Sequence, residues 1–205
     1  NPKLMNNIFA QIPLAIPPLP EQKKIAEILS GIDKEIRLRD QKISKLQVLI
    51  TSLRDDFLSQ LMGEENTKVV PLSDLSRVID SLHTTPTFAE TGVPMVRVTD
   101  VKAGILSLDG TKRVTPESYK TYTRNHEPKE GDIVISRVGS YGITSLNLRS
   151  EKFCLGQNTA LIHPTHIHSR FLYECLNSSF IKEQIEVSVE GSGYKSLSLA
   201  SIRSL

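Results

Sequence analysis

The chain has 205 residues, 39% of them hydrophobic and 23% charged, with 25 Lys and Arg against 23 Asp and Glu and a formal net charge of +2. That size admits one medium domain, or two small ones, with a buried core. The balanced charge excludes the strongly basic profile of a free-standing non-specific nucleic-acid binder, and no apolar run approaches the roughly 18 residues of a membrane span.

Residues 1–20 read as the tail of a preceding unit that ends in the extended run Ile12-Pro13-Leu14-Ala15-Ile16-Pro17-Pro18-Leu19-Pro20. Prolines at that density forbid a helix and favour a polyproline-like lead-in. Pro20 followed by Glu21 is a helix-start signal.

From residue 21 to 62 the pattern changes. Apolar residues stand at Ile25, Leu29, Ile32, Ile36, Ile43, Leu46, Ile50, Leu53 and Phe57, in steps of 4, 3, 4, 7, 3, 4, 3 and 4, with Arg39 in the slot that the long step leaves open. This is a heptad register, and a stripe of that period expects a second helix along its length. About 42 residues at 1.5 Å each make a rod of about 63 Å, longer than one small domain covers. Gly63 fits the stop signal. Residues 63–68 form a short polar linker.

Residues 69–205 alternate short β-rich runs with Gly, Pro, Asn and Ser. Val93–Val98, Asp132–Val138, Thr144–Leu148 and Asn158–His163 read as strands. Leu72–Val78, Ser169–Val187 and a short turn over Ser198–Ile202 read as helices. The fold class expected is α+β: a globular domain of mixed strands and helices attached to a long coiled-coil-type helix.

Five stretches in order carry a family resemblance. They are Ile16-Pro17-Pro18-Leu19-Pro20-Glu21-Gln22, the heptad helix, Val70-Pro71-Leu72-Ser73-Asp74-Leu75, Glu130-Gly131-Asp132-Ile133-Val134-Ile135-Ser136-Arg137 with Gly139 and Gly142, and Gly191-Ser192-Gly193-Tyr194-Lys195-Ser196-Leu197-Ser198. Together they resemble the specificity subunit of Type I restriction–modification systems. The likeness implies a target-recognition domain over 69–205 and a spacer helix over 21–62. Family members carry two of each, so the chain corresponds to one repeat unit. It is either a piece of a longer subunit or a half-length subunit that pairs with itself.

The resemblance implies a binder of double-stranded DNA without catalytic residues or metal. S-adenosylmethionine and ATP are expected on the modification and restriction subunits that it joins, in the cytoplasm. The residues agree in lacking a Walker loop. The first residues carry no secretion signal, and Cys154 and Cys175 read as reduced thiols. The His163-Pro164-Thr165-His166-Ile167-His168 run invites a metal reading but brings no carboxylate or cysteine near in sequence, and a solvated loop is the expectation. Base readout needs donors and acceptors on loops, with cations for phosphates. The candidates fall in three groups: Ser81, His83, Thr84 and Thr85; Arg97, Thr99, Arg137, Ser140 and Tyr141; and Gln157, Asn158, Tyr194, Lys195 and Ser196. For Arg137 the competing reading is an ion pair with Glu130 or Asp132. Two other functions remain open at this stage. One is a coiled-coil regulatory fragment that binds modification subunits without reading DNA; the other is an enzyme using Cys154 and a histidine.

Overall fold

The structure, a computed structural model, describes residues 13–189 and 195–205. The first helix among the described residues, α1, is Leu19–Met62, 44 residues and about 66 Å long. It starts where the prolines allow: the Pro18 carbonyl accepts from the Glu21 and Gln22 amides at 2.9 and 3.1 Å, and Pro20, in the first turn, has no amide to leave unpaired. It ends at Gly63, whose N–H bonds the Gln60 carbonyl at 3.1 Å. No α1 residue is buried within the chain. All nine stripe residues are exposed, from 45% at Ile25 to 59% at Leu53.

The chain divides into two compact units, one ending at Ile50 and the other spanning Thr51–Leu205. In chain order the second unit contains α2 (Leu72–Leu75), β1 (Ser76–Asp80), β2 (Phe88–Ala89), β3 (Val93–Val96), β4 (Gly104–Ile105), β5 (Lys112–Val114), α3 (Pro116–Tyr122), β6 (Ile133–Ser136), β7 (Thr144–Leu146), β8 (Cys154–Leu155), β9 (Thr159–Pro164), α4 (Ser169–Leu176), α5 (Ser179–Ser188) and α6 (Leu199–Arg203). The expected α+β class holds. One sheet has the order β1-β9-β6-β7-β4 and the other β2-β5-β3-β8.

The first sheet is covered on both faces, which is why consecutive residues of its central strands, Ile133–Ile135 and Ala160–Ile162, are apolar and buried. Side chains alternate along a strand. Ile133, Ile135, Ala160 and Ile162 enter one core with Leu172, Leu176, Ile185 and Ile202 of the helices. Val134 and Leu161, on the opposite face, join Val96, Leu106, Phe153 and Leu155 in a second core. Each such side chain contributes about 1.5–3 kcal/mol by leaving water.

Two expected helices differ. Leu72–Val78 is helical only to Leu75; Ser76–Asp80 becomes β1, paired antiparallel with β9 from Ser76↔Pro164 to Asp80↔Ala160. Val78 and Ile79 are β-branched, and on a strand they feed the two cores separately. The single helix expected over Ser169–Val187 is two, α4 and α5. Ser178 caps α5 by accepting from the Ile181 amide, and the Asn177 side chain donates to Thr144 Oγ1 at 2.7 Å. The break turns the chain so that Tyr173, Leu176 and Ile185 all reach one core.

The last turns of α1 are bonded into the second unit. Arg54 Nε donates to Glu174 at 2.9 Å and its Nη1 to the Asn177 carbonyl at 3.0 Å, at the C-terminal end of α4. Asp55 accepts from the Ser179 amide and hydroxyl at 2.9 and 2.6 Å, at the start of α5. Each charge sits at the helix end that favours its sign. The hydroxyl and amide of Ser179 hold the Asp55 carboxyl below its ordinary pKa.

Candidate nucleic-acid interface

Strand direction gathers the sequence-picked residues. β1 and β6 end where β7 and β9 begin, as the pairs Asp80↔Ala160, Ser136↔Thr159 and Ile135↔Thr144 require. The segments 81–85, 137–142 and 157–158 therefore emerge from one end of the sheet. The bridge Val138↔Ser196 adds Lys195 and Ser196. β3 and β8 run parallel with Val96 beside Leu155, so Arg97 and Thr99 follow at the same end as Gly156 and Gln157. Tyr194 lies outside the described residues.

The loop after β6 is held from within. Ser136 Oγ donates to the Ser140 carbonyl and accepts from the Ile143 amide at 3.0 Å. Gly139 and Gly142 have φ of 74° and 71°, values that glycine adopts freely. Asn158 shares the left-handed conformation at φ 65°, and its carbonyl accepts from the Arg137 amide at 2.8 Å. On the 81–85 loop, Tyr122 OH donates to the Thr84 carbonyl at 2.6 Å and meets Thr84 Oγ1 at 2.9 Å.

The cations are mostly engaged. Arg137, 15% exposed, pairs through Nη1 with Asp80 at 2.5 Å and donates from Nε to the Leu197 carbonyl at 3.1 Å. The ion-pair partner is thus Asp80 rather than Glu130 or Asp132, because β9 brings β1 and β6 to its two sides. Asp80 also accepts from His83 Nε2 at 3.0 Å. Arg97 makes a two-point contact with Asp100, Nε–Oδ2 3.0 Å and Nη2–Oδ1 3.1 Å, a geometry that favours guanidinium over ammonium. Thr99 leans on the same carboxylate. Ser81 is buried and does not reach outward, and among the described residues its hydroxyl has no hydrogen-bond partner. Tyr141 bonds Glu186 at 2.9 Å, and Lys195 lies 5.9 Å from the Tyr141 ring centroid.

What remains outward is a set of small hydrogen-bonding groups. Thr85 and Ser140 are exposed, Gln157 and Asn158 half-buried. Among the described residues their side chains make no hydrogen bond. With exposed His83 and Lys195 they form a surface of donors and acceptors on a braced end. Asp80, Asp100 and Tyr122, which brace it, carried no local signal in the sequence.

A separate cluster lies at the other end of β6. Asp132, fully buried, accepts from the Lys129 amide at 2.8 Å, His126 Nε2 at 2.9 Å and His163 Nδ1 at 2.7 Å. These three side chains are types that hold metals, with ligand atoms within 4.8 Å. The N···O distances are those of hydrogen bonds, and three donors occupy most of the acceptor sites of the carboxylate. His163 is in it; His166 and His168 of the same run are not.

Cys154 is buried and its thiol is pushed up to about 12 by desolvation; Cys175 is raised to about 11 by the same cause. Burial disfavours the alternative in which Cys154 acts as a nucleophile, since the reacting species is the thiolate. Alkylation at pH 8 should label Cys154 on the order of a thousandfold more slowly than an unperturbed thiol. Labelling of the folded chain at the rate seen in urea contradicts that burial.

The family model described as Type I restriction modification DNA specificity domain matches residues 1–48 and 64–205. The chain belongs to this family. The specificity domain also resembles solved structures. Against the HsdS subunit from Thermoanaerobacter tengcongensis it has 14% identity and a TM-score of 0.51, over 100% of this chain and 50% of that one. Against the Type I restriction-modification S subunit from M. genitalium the values are 20% and 0.54, over 92% and 49%. A third match comes from a structure addressing complex assembly and conformational transition of the type I R-M system, at 17% identity and TM-score 0.53, over 93% and 47%. At these identities the likeness is one of fold. The specificity domain spans about half the length of the chains it matches. No helix among the described residues is long and apolar enough to cross a membrane.

Proposed function

We propose that this specificity domain reads one half of a bipartite DNA target. The α1 spacer, paired antiparallel with a second spacer helix, sets the separation of the two half-sites and docks the methyltransferase subunits. The observation that carries this reading is the family match over both the helix and the domain. The convergence of unengaged hydrogen-bonding side chains at one end of the sheet supports it. Thr85, Ser140, Gln157 and Asn158 are the base readers, with His83, Tyr141, Lys195 and Ser196 beside them. Amide side chains suit adenine, and hydroxyls, which both donate and accept, suit any base edge. Arg137 and Arg97 act as positioning residues: held by Asp80 and Asp100, they fix the loops that carry the readers.

The chain supplies recognition and its partners supply chemistry. S-adenosylmethionine and ATP belong to the modification and restriction subunits in the cytoplasm, and a target base must leave the duplex to reach a methyl donor. The test is to combine the chain with modification subunits and S-adenosylmethionine and map the methylated bases. The expected result is a motif of two short blocks separated by unspecified bases. Methylation without sequence preference, or methyl transfer by the chain alone, overturns the proposal.

A further inference from the structure

The second unit carries an apolar groove of about 620 Å³ beside the end of α1, with Leu58, Met62, Val70, Phe171, Phe180 and Leu205 among its walls. Several walls are open to water: Met62 is 46% exposed, Val69 74% and Phe180 49%. A contiguous apolar surface of this kind marks a site for a protein, a membrane or an apolar ligand.

The α1 stripe names the occupant. Read from either end it gives the same spacing about Gln41. Laid antiparallel on a second copy, Ile25 meets Phe57, Leu29 meets Leu53, Ile32 meets Ile50, Ile36 meets Leu46, and Arg39 meets Ile43. Every layer then combines the two kinds of core position of the heptad. The same register carries Leu19 and Pro20 of the second copy to Met62 and Gly63 of the first. The residues ahead of them, 13–18, then run past Glu64–Val69, where the groove opens. That lead-in is extended and shows its apolar side chains, Leu14 at 78% and Ile16 at 76% exposure. It carries no charge, and its prolines limit the entropy lost on docking.

We infer that the groove receives the proline-rich lead-in, Pro13–Leu19, of a second copy of this chain. Leu14 and Ile16 fill the space between Met62 and Phe180. The two-fold relation makes two such contacts per pair. They clamp the helix seam at both ends and fix its register, and with it the distance between two reading ends. The inference rests on the antiparallel pairing proposed above.

Cross-linking separates the two ideas. A full chain carrying Ile16→Cys and Phe180→Cys should form a covalent dimer under mild oxidation, and Phe180→Cys alone should form none. A full chain carrying Arg39→Cys and Ile43→Cys reports on the helix seam by itself. A covalent dimer from the seam pair without one from the groove pair overturns the docking and keeps the pairing. No covalent dimer from either overturns both. As a second measurement, Leu14→Asp with Ile16→Asp should weaken self-association about tenfold or more by sedimentation, the two lost apolar contacts being at both ends of the pair. Unchanged association overturns the docking.

Discussion

Replacing Ile43 and Leu46 together by aspartate is expected to convert a self-associating chain into a monomer. The stripe residues flanking the centre of α1, Ile36 at 51%, Ile43 at 53% and Leu46 at 49%, are exposed in the single chain. In the pair they are the layers nearest the two-fold axis, and each substitution enters twice. At position 46 the new carboxylate faces Ile36 of the other copy with no cation, which is far costlier than losing an apolar contact, while at position 43 it faces Arg39 and the loss is mainly the apolar contact. We therefore expect the dissociation constant to rise more than about a hundredfold, since about 1.4 kcal/mol corresponds to each tenfold. Helicity should fall as well, because much of the stability of a long helix comes from its packed face. Sedimentation of parent and variant, with circular dichroism over a dilution series, checks this. A parent chain that stays monomeric at tens of micromolar, or a variant that still pairs, contradicts it.

Asp132→Ala is expected to be the most destabilising single change in the domain. The side chain is fully buried and serves three donors, His126, His163 and the Lys129 amide. Its backbone also holds β6 in place, the Asp132 carbonyl accepting from the Asn147 amide at 2.8 Å. Removal leaves two imidazoles and a main-chain N–H without their acceptor. Breaking a buried charged contact costs about 3–5 kcal/mol, a large share of a small domain's stability. Asp132→Asn keeps the shape and one acceptor but turns an N–H toward a donor, and should cost less. Urea denaturation checks both: a midpoint for Asp132→Ala within about 1 kcal/mol of the parent contradicts the structural role. Asp132 and Arg137 sit at opposite ends of β6, about 17 Å apart along the strand. Folded Asp132→Asn should therefore keep the parent's base preference.

How much of this was legible follows from the range of each signal. The α1 helix was readable because nine apolar residues keep a 3.5 period between prolines and a glycine. β6 and β9 were readable as apolar runs closed by turn residues. The two- and three-residue strands β2, β4, β5 and β8 are too short for a period to show. α3 has only seven residues, too few to show an apolar period, although Thr115-Pro116-Glu117 is a helix start, with the Thr115 hydroxyl accepting from the Ser118 amide. The apolar pattern over Ser169–Val187 suits one helix, and only the capping residue Ser178 betrays the break.

The candidate site was half legible for the same reason. Loop residues rich in hydroxyls and amides were found by type, and strand order put them together. Their bracing was not found. The acids near Arg137 in sequence are Glu130 and Asp132, while its partner Asp80 lies 57 residues away and is brought near by the β1-β9-β6 order. The His126–Asp132–His163 cluster joins a loop and two strands in the same manner, and spacing within one run of histidines pointed elsewhere.

The central claim is that the end of the sheet formed by residues 81–85, 137–142 and 157–158 reads bases. The direct measurement is a binding titration of the parent, Thr85→Ala, Ser140→Ala and Gln157→Ala, with the modification subunits present. The duplexes are the mapped target and its single-base variants, at two salt concentrations. The account predicts that these variants lose about 1–3 kcal/mol and relax preference at individual positions of one half-site, with an unchanged salt slope. Unaltered affinity and unaltered base preference in all three variants contradict it.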